Sequence, residues 1–186
     1  HAVEMTETLV TRFWDEQEGG FFFTSNDHEA LIARSKSAFD GSIPSGNSVA
    51  THNLLRLYYL TENATYLEKA ERALRVFYDA MEQNPFGFGH MLGALDFYLN
   101  RPKEIVLLGD KTARGTWEML ARIHELYLPN KTVACFDASD LAESRLPSLL
   151  NGRTQVAGKL TIYVCHNFTC SLPVTEWGAL KELLLS

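Results

Sequence analysis

Two stretches of this chain are too neutral to be ordinary surface helices, and that limits the folds open to it. Residues 47–60 (NSVATHNLLRLYYL) carry one charge, Arg56, and residues 88–99 (FGHMLGALDFYL) carry one, Asp96. In the first, Ala50, Leu54, Leu57 and Tyr58 form an apolar stripe, while Ser48, His52, Leu55 and Tyr59 line the opposite side. A helix that is apolar or neutral all round is covered on both sides.

The segments around them read differently. Residues 65–81 place Leu67, Ala70, Leu74, Phe77 and Met81 on one helical face and Glu68, Lys69, Glu71, Arg72, Arg75 and Asp79 on the other. Thr65 and Glu68 have the spacing of a capping box. Residues 2–14 are amphipathic again, with Leu9, Val10 and Phe13 against Glu4, Glu7 and Arg12. The order is outer, inner, outer, inner, and the short connector 61–64 makes its neighbours antiparallel. That alternation predicts a two-layered helical array, either a solenoid or a closed α/α ring. The alternative is a simple four-helix bundle. The layered array is favoured because two of the four helices lack a polar face.

One connection, residues 15–46, is long for a compact domain, and such loops are usually functional or mobile. Gly19–Gly20 stops the first helix. Phe21–Phe23 and Ala30–Ala33 then read as a short β-hairpin around Ser25–Glu29. Asp40–Gly41 and Pro44–Ser45–Gly46 are turn chemistry leading to Asn47 or Ser48 as helix cap. Asp27, His28, Asp40, Ser45 and Asn47 are therefore the candidate substrate-binding residues, gathered at the mouth of a ring.

After Pro102 the pattern changes to α/β. Ile105–Leu108 is a continuous apolar run, as in a strand covered on both faces. Residues 112–127 form a helix, Thr132–Phe136 a second strand, Leu160–Val164 a third, and 175–185 a closing helix. Strand–helix–strand with a connection this long predicts a parallel pair with a right-handed crossover. Only one glycine, Gly109, follows the first strand, so neither a dinucleotide fingerprint nor a phosphate loop is present and no cofactor is expected. The expected class is α+α/β, with domains at 1–101 and 102–186 and a mostly parallel three-stranded sheet.

Charge and composition exclude some functions. With 17 basic and 23 acidic residues the net charge is −6, opposite to the cationic field that nucleic acid requires. No apolar run approaches the ~20 residues that cross a bilayer. The opening HAVEMTETLV lacks the basic-then-apolar pattern of a signal peptide. Cys135, Cys165 and Cys170 are too few for a disulfide scaffold and fit a reducing compartment. Together these point to a cytoplasmic protein. Asn63, Asn130 and Asn167 each begin an Asn-x-Thr triplet and read as turn and cap residues rather than glycosylation sites.

The residues able to carry chemistry are few. His28, between Asp27 and Glu29, has the make-up of an acid–base group or of a solvated turn. His52 lies opposite the Leu54/Leu57 stripe, where a ring would have its central cavity; a satisfied core histidine is the competing reading. Asp40 is a third catalytic candidate and also a plain turn residue. Asp15, Glu16 and Glu18 read as the polar end of a helix, and Phe21–Phe23 as hairpin core before sugar-stacking platform. Cys165 and Cys170, with Cys135 on a neighbouring strand, form a redox pair or are small buried hydrophobes. A zinc site would need His166 as well, and no metal is expected.

The strings FWDEQEGGFFFTSNDHEALI, DGSIPSGNSVATHNLLRL, LPNKTVACFD and IYVCHNFTCSLPVT occur in this order over nearly the whole chain. Together they resemble the C-terminal part of the thioredoxin-domain-containing family related to spermatogenesis-associated protein 20. The resemblance implies a thioredoxin-like domain ahead of an α/α toroid similar to N-acylglucosamine 2-epimerases. The four helices here would then be about a third of that ring. It makes the chain a fragment whose partners are the missing toroid helices and the thioredoxin-like domain. Exposed apolar helices would also favour a homo-oligomer. The toroid kinship implies carbohydrate handling, epimerase- or isomerase-like, with a small carbohydrate as ligand. The other expectation is a non-catalytic scaffold that positions the thioredoxin-like domain.

Overall fold

The computed structural model describes residues 1–29, 33–137, 140, 147–167 and 169–186. These form two compact units, one of residues 1–58 and 63–99, the other of residues 59–62 and 100–186. The α+α/β class is the one observed, a set of helices followed by a mixed sheet with its own helices. No helix of the described residues is long and apolar enough to cross a membrane.

The helical unit begins with α1 (Ala2–Phe13), which ends as Trp14 turns to extended backbone. The helix ends before the Gly19–Gly20 pair expected to stop it, and the two glycines instead turn the chain back, with the Asp15 N–H donating to the Gly20 carbonyl at 2.9 Å. Gly19 and Gly20 have φ of 93° and 76°, and a Cβ on Gly20 would lie 3.2 Å from the Phe77 ring. Trp14 then pairs with Phe21 through a single antiparallel bridge, their rings edge-to-face at 5.0 Å. The expected hairpin partner of Phe21–Phe23, Ala30–Ala33, lies mostly outside the described residues. Phe21 takes its bridge from Trp14, and the Phe23 N–H donates to the Ser35 carbonyl.

Next come α2 (Gly46–Thr61), α3 (Ala64–Val76), α4 (Tyr78–Gln83), a 3₁₀ turn at Pro85–Phe88 and α5 (Gly89–Asn100). The single helix expected over 65–81 is broken at Phe77, whose φ of −100° and ψ of 5° leave the helical range. The buried stripe crosses the break unaltered. Leu74, Phe77 and Met81 pack with Ala38, Phe88 and Met91 in one cluster. The capping box does not form, because Thr65 already lies inside the helix. Asn63 is the cap, its side chain accepting the Thr65 N–H at 3.1 Å.

The two neutral helices are less enclosed than their composition implies. Leu54 and Leu55 of α2 are fully buried on different sides. Yet Val49, Asn53 and Arg56 are exposed, as are Gly89, Gly93, Asp96 and Asn100 of α5. These residues recur every three or four positions and make a narrow solvent stripe. Each stripe holds a single charge, Arg56 or Asp96, among uncharged residues, which hides it from a reading based on charge.

In the second unit β1 (Lys103–Leu108) is followed by α6 (Arg114–Glu125) and β2 (Lys131–Phe136). A short α7 (Pro147–Leu150), β3 (Thr161–His166), β4 (Thr169–Cys170) and α8 (Trp177–Leu185) complete it. The sheet order is β2-β1-β3-β4. Among the described strands only β1–β2 is parallel, the pair joined through α6; β3 runs antiparallel to β1 and forms a hairpin with β4. This corrects the mostly parallel three-stranded sheet. Phe136 at the end of β2 and Thr161 at the start of β3 both pair with Leu108, so the link leaves and returns at one end of the sheet and needs no second crossover.

Both faces of the sheet are covered, as the unbroken apolar run of β1 requires. Ile105, Leu107, Ile162 and Val164 pack with Ile123 of α6 and Leu180 and Leu184 of α8. Val106, Leu108 and Tyr163 pack on the other face with Leu149 and Leu150. Each such side chain stabilises the fold by about 1.5–3 kcal/mol through burial. Two lysines open the parallel strands in register. Lys103 Nζ donates to the carbonyls of Leu183 and Leu184, and Lys131 Nζ to those of Ile123 and Leu126. Each cation closes the negative end of a helix.

Candidate functional site

The long loop is tied down from its own polar side chains. Asn47 is buried, its Oδ1 accepting the Phe21 N–H at 2.7 Å. Its Nδ2 donates to the carbonyls of Phe21 and Ser37, each at 2.9 Å. One amide thus stands in for a strand neighbour. Ser45 Oγ accepts the Ser48 N–H at 3.0 Å and shares a 2.7 Å hydrogen bond with Ser48 Oγ, so Ser45 is the cap of α2. The cap lies two residues earlier than the sequence suggested.

Asp40 divides its carboxylate between two segments. Oδ1 accepts the Ser45 N–H at 2.8 Å; Oδ2 accepts the His90 and Met91 N–H groups at 2.8 and 3.3 Å. Burial pushes its carboxyl upward, but these hydrogen bonds, with one from Ser48, outweigh that and hold it below the usual range. A carboxylate at the positive end of α5 is also in its favoured place.

At the start of the loop, Lys36 Nζ reaches Asp15 Oδ2 at 2.6 Å, Glu18 Oε2 at 2.8 Å and the Gly19 carbonyl at 3.1 Å. The Lys36 hydrogen bond holds the Asp15 carboxyl below its ordinary value, partly opposed by burial. Asp15 and Glu18 are thus anchors of the Gly–Gly turn. Lys69 and Arg72 lie over the Trp14 ring at 4.5 and 5.4 Å, and Arg34 over Phe22 at 4.1 Å. Phe22 and Trp14 are engaged by cations, and Phe23 is exposed.

The catalytic candidates do not converge as a triad. Asp27 binds Arg12 at 2.6 Å and Ser25 at 2.5 Å. The Ser25 hydroxyl, with Arg12, holds its carboxyl low. His28 stands beside it on an exposed turn, its N–H donating to the Ser25 carbonyl at 3.4 Å. His52 lies elsewhere, half-buried on α2, with His90 of α5 at 5.4 Å between ring centroids and Phe97 at 5.1 Å. Burial, with His90 and Arg56 nearby, pushes the His52 pKa down to about 4, so its imidazole is neutral at pH 7. His90 was missed by sequence reasoning. The only signal for it was a second histidine on a helix almost free of charge. Asp40 reaches this pair only through the backbone of His90.

A cavity of about 300 Å³ opens elsewhere on the helical unit, lined by Glu71, Leu74, Arg75, Tyr78, Leu95 and Tyr98 among others. The Tyr98 hydroxyl donates to Glu71 at 2.9 Å, and Arg75 pairs with the same carboxylate at 3.2 Å.

In the α/β unit Cys165 and Cys170 face each other on β3 and β4 and are joined as a disulfide, with Cα atoms 4.0 Å apart. They are neither free thiols nor plain buried hydrophobes. Cys135 is not beside them. It lies on β2, with β1 between, and pairs with Leu107 while Cys165 pairs with Glu104. Burial pushes the Cys135 thiol upward. The zinc reading loses two of its four donors to the disulfide. Among the described residues no three His, Cys, Asp or Glu side chains are grouped to hold a metal ion.

No family model matches the chain. It is 36% identical over 186 residues to spermatogenesis-associated protein 20 of Homo sapiens, and 37% and 34% identical to the proteins of that name from Rattus norvegicus and Mus musculus. Each alignment covers 98% of this chain and 23–24% of the relative. The chain therefore spans about a quarter of the length of the curated relatives it matches.

Proposed function

We propose that this chain is a segment of a protein of the spermatogenesis-associated protein 20 family, and that its helical unit is a non-catalytic scaffold. In this reading the helices are part of an α/α toroid, and the remaining toroid helices and a thioredoxin-like domain are its partners. The observation that carries it is the commitment of the loop's polar groups. Asp40, Ser45 and Asn47 spend their side-chain oxygens and nitrogens on backbone or capping hydrogen bonds. A carboxylate bonded by three backbone N–H groups is a poor general acid or base, because proton uptake would forfeit those bonds.

Thermal-shift titration of the full-length parent with mono- and disaccharides tests this. A flat response across the panel is expected, and a saturable rise in Tm would overturn it. A second reading has one specific support, the neutral imidazole of His52 beside His90 and Phe97. There a small carbohydrate would meet two partly exposed imidazoles able to hydrogen-bond, as in an epimerase-like pocket. A shift that His52→Ala abolishes would favour it.

Self-association belongs to the same proposal. Exposed apolar side chains lie on the loop and the 3₁₀ turn, at Phe39, Ile43 and Phe86, rather than chiefly along α2 and α5. The main-chain bond from Asp40 N–H to the Gly87 carbonyl joins these segments. A homo-oligomer would cover them. Sedimentation of a monomer at high concentration would overturn that part. The cytoplasmic setting is part of the same proposal, and there the Cys165–Cys170 disulfide would be an exchangeable rather than a permanent bond.

A further inference from the structure

The α/β unit carries a side-chain cluster that the scaffold reading does not use. Arg153 donates from one guanidinium nitrogen to Cys165 Sγ at 3.1 Å and to Cys170 Sγ at 3.3 Å. Another of its nitrogens donates to the Leu149 carbonyl, and its Nε is buried without a partner. A disulfide sulfur is a weak acceptor, so a guanidinium aimed at two of them is poorly satisfied. A thiolate in the same place would give it a charge-assisted hydrogen bond. The arrangement suits the reduced state better than the oxidised one.

The two sulfurs also differ in access. Cys165 is 2% exposed, whereas Cys170 is on the exposed strand β4. An incoming nucleophile therefore meets Cys170, and the sulfur it displaces is the buried one beside the guanidinium. Glu104, paired opposite Cys165 across β1–β3, is the carboxyl that shares the Arg153 field. Burial weighs against its ionised form, leaving the guanidinium freer to serve sulfur. The disulfide joins residues five apart in a hairpin, a span that restrains the unfolded chain less than a long loop would.

We propose that Cys165–Cys170 is a thiol–disulfide exchange site for a dithiol, with Cys170 the sulfur attacked and Arg153 the residue that holds the thiolate released on Cys165. One thiol of the dithiol loses its proton to water and attacks Cys170 Sγ. The Cys165–Cys170 bond breaks, and its electron pair leaves on Cys165 Sγ, where Arg153 stabilises it. The second thiol, deprotonated by water, attacks the dithiol's own sulfur in the mixed disulfide and releases Cys170 as a thiolate. Both cysteine sulfurs can then take protons from solvent. The dithiol is oxidised by two electrons to a disulfide, and the protein disulfide is reduced by two. Lower pKa of the leaving thiol speeds such exchange, which is the part assigned to Arg153. This proposal rests on the α/β unit alone and stands apart from the scaffold reading.

The test uses the oxidised 186-residue chain, with dithiothreitol and reduced thioredoxin as separate reductants. Acid quench, alkylation and mass spectrometry follow Cys165 and Cys170, with Cys135 as an internal slow thiol. Reduction by either reagent supports the site, the faster one identifying a small or a protein dithiol as its source; resistance to both overturns it. Arg153→Met is expected to slow reduction about tenfold, with Arg153→Lys within roughly threefold of the parent chain. Equal rates for all three would sink the role of Arg153. Far-UV circular dichroism checks that both variants fold. If Arg153→Met does not, the cysteine arm decides. In oxidised glutathione, Cys165→Ser should collect an adduct on Cys170 and Cys170→Ser none on Cys165. The reverse pattern would overturn the assignment of the attacked sulfur.

Discussion

The two units solve the same problem with different means. In the α/β unit a sheet is covered on both faces by apolar side chains, and two lysines close the helix ends. In the helical unit the described part of the loop 15–46 joins no sheet, so Asn47, Asp40 and Lys36 supply the hydrogen bonds its backbone would otherwise lack. Apolar burial is non-directional and tolerates adjustment, whereas a buried amide bonded to two backbone segments has one workable geometry. The helical unit should therefore be more sensitive to polar substitutions of similar size, and the α/β unit to loss of volume.

Asn47→Leu is the sharpest way to break that contrast. It removes three hydrogen bonds, leaving the buried N–H and carbonyl of Phe21 unpaired and the Ser37 carbonyl without its amide partner. At about 1–3 kcal/mol for each unsatisfied group, a loss of about 4 kcal/mol is expected. Urea denaturation measures it, and cleavage by protease should appear first between residues 21 and 37. A loss below about 1 kcal/mol would mean that the loop is held by its aromatic contacts instead.

Ile105→Ala probes the other unit. The side chain is almost fully buried in the sheet core, and its removal should destabilise by about 3 kcal/mol. Hydrogen exchange should speed up in β1, β2 and β3 before α2 and α3. Uniform acceleration across the chain would erase the distinction between the units.

Acid should act on the helical unit through His52. Its folded pKa of about 4 lies below the ordinary value of 6.5, so the unfolded chain takes up the proton first. Stability is then complete above pH 6.5 and falls progressively as pH drops toward 4. The loss is on the order of 2 kcal/mol, since each pKa unit is worth about 1.4 kcal/mol before allowance for partial exposure. A His52→Phe variant should flatten that slope; an unchanged slope would place the titration elsewhere.

Asp40→Asn gives the smallest effect. The amide oxygen can still accept one segment's N–H groups, but the charge at the start of α5 is lost. About 1 kcal/mol is expected, read as a shift in the urea midpoint. An effect above about 3 kcal/mol would mean that the carboxylate does more than cap and tie.

These sites explain what the sequence disclosed and what it hid. The elements were legible where a period repeated, as in Leu74 and Met81 of the outer stripe or the unbroken Ile105–Leu108 run. The break at Phe77 was hidden because the buried stripe continues through it. The direction of β3 was hidden because it depends on how the long link from β2 returns, not on the strand's own residues. Asp40, Ser45 and Asn47 were found by their turn chemistry, but their partners lie up to 51 residues away, so polar tethers looked like a binding mouth. The disulfide had a local signal that was undervalued. A strand ending one residue past Cys165, with Asn167 able to take φ of 51°, turns back to bring Cys170 opposite.

The bond from Lys103 to the carbonyl of Leu184 spans 81 residues of chain. It makes the first strand of the α/β unit a receiver for its last helix, so the unit closes like a clasp only when both ends are present. Stepwise synthesis would hold β1 and its parallel partner ready while Lys103 still faced water. Loss of the final turn of α8 would undo the clasp without touching the sheet, freeing a cation at the rim and uncovering Ile105 and Leu107 beneath it.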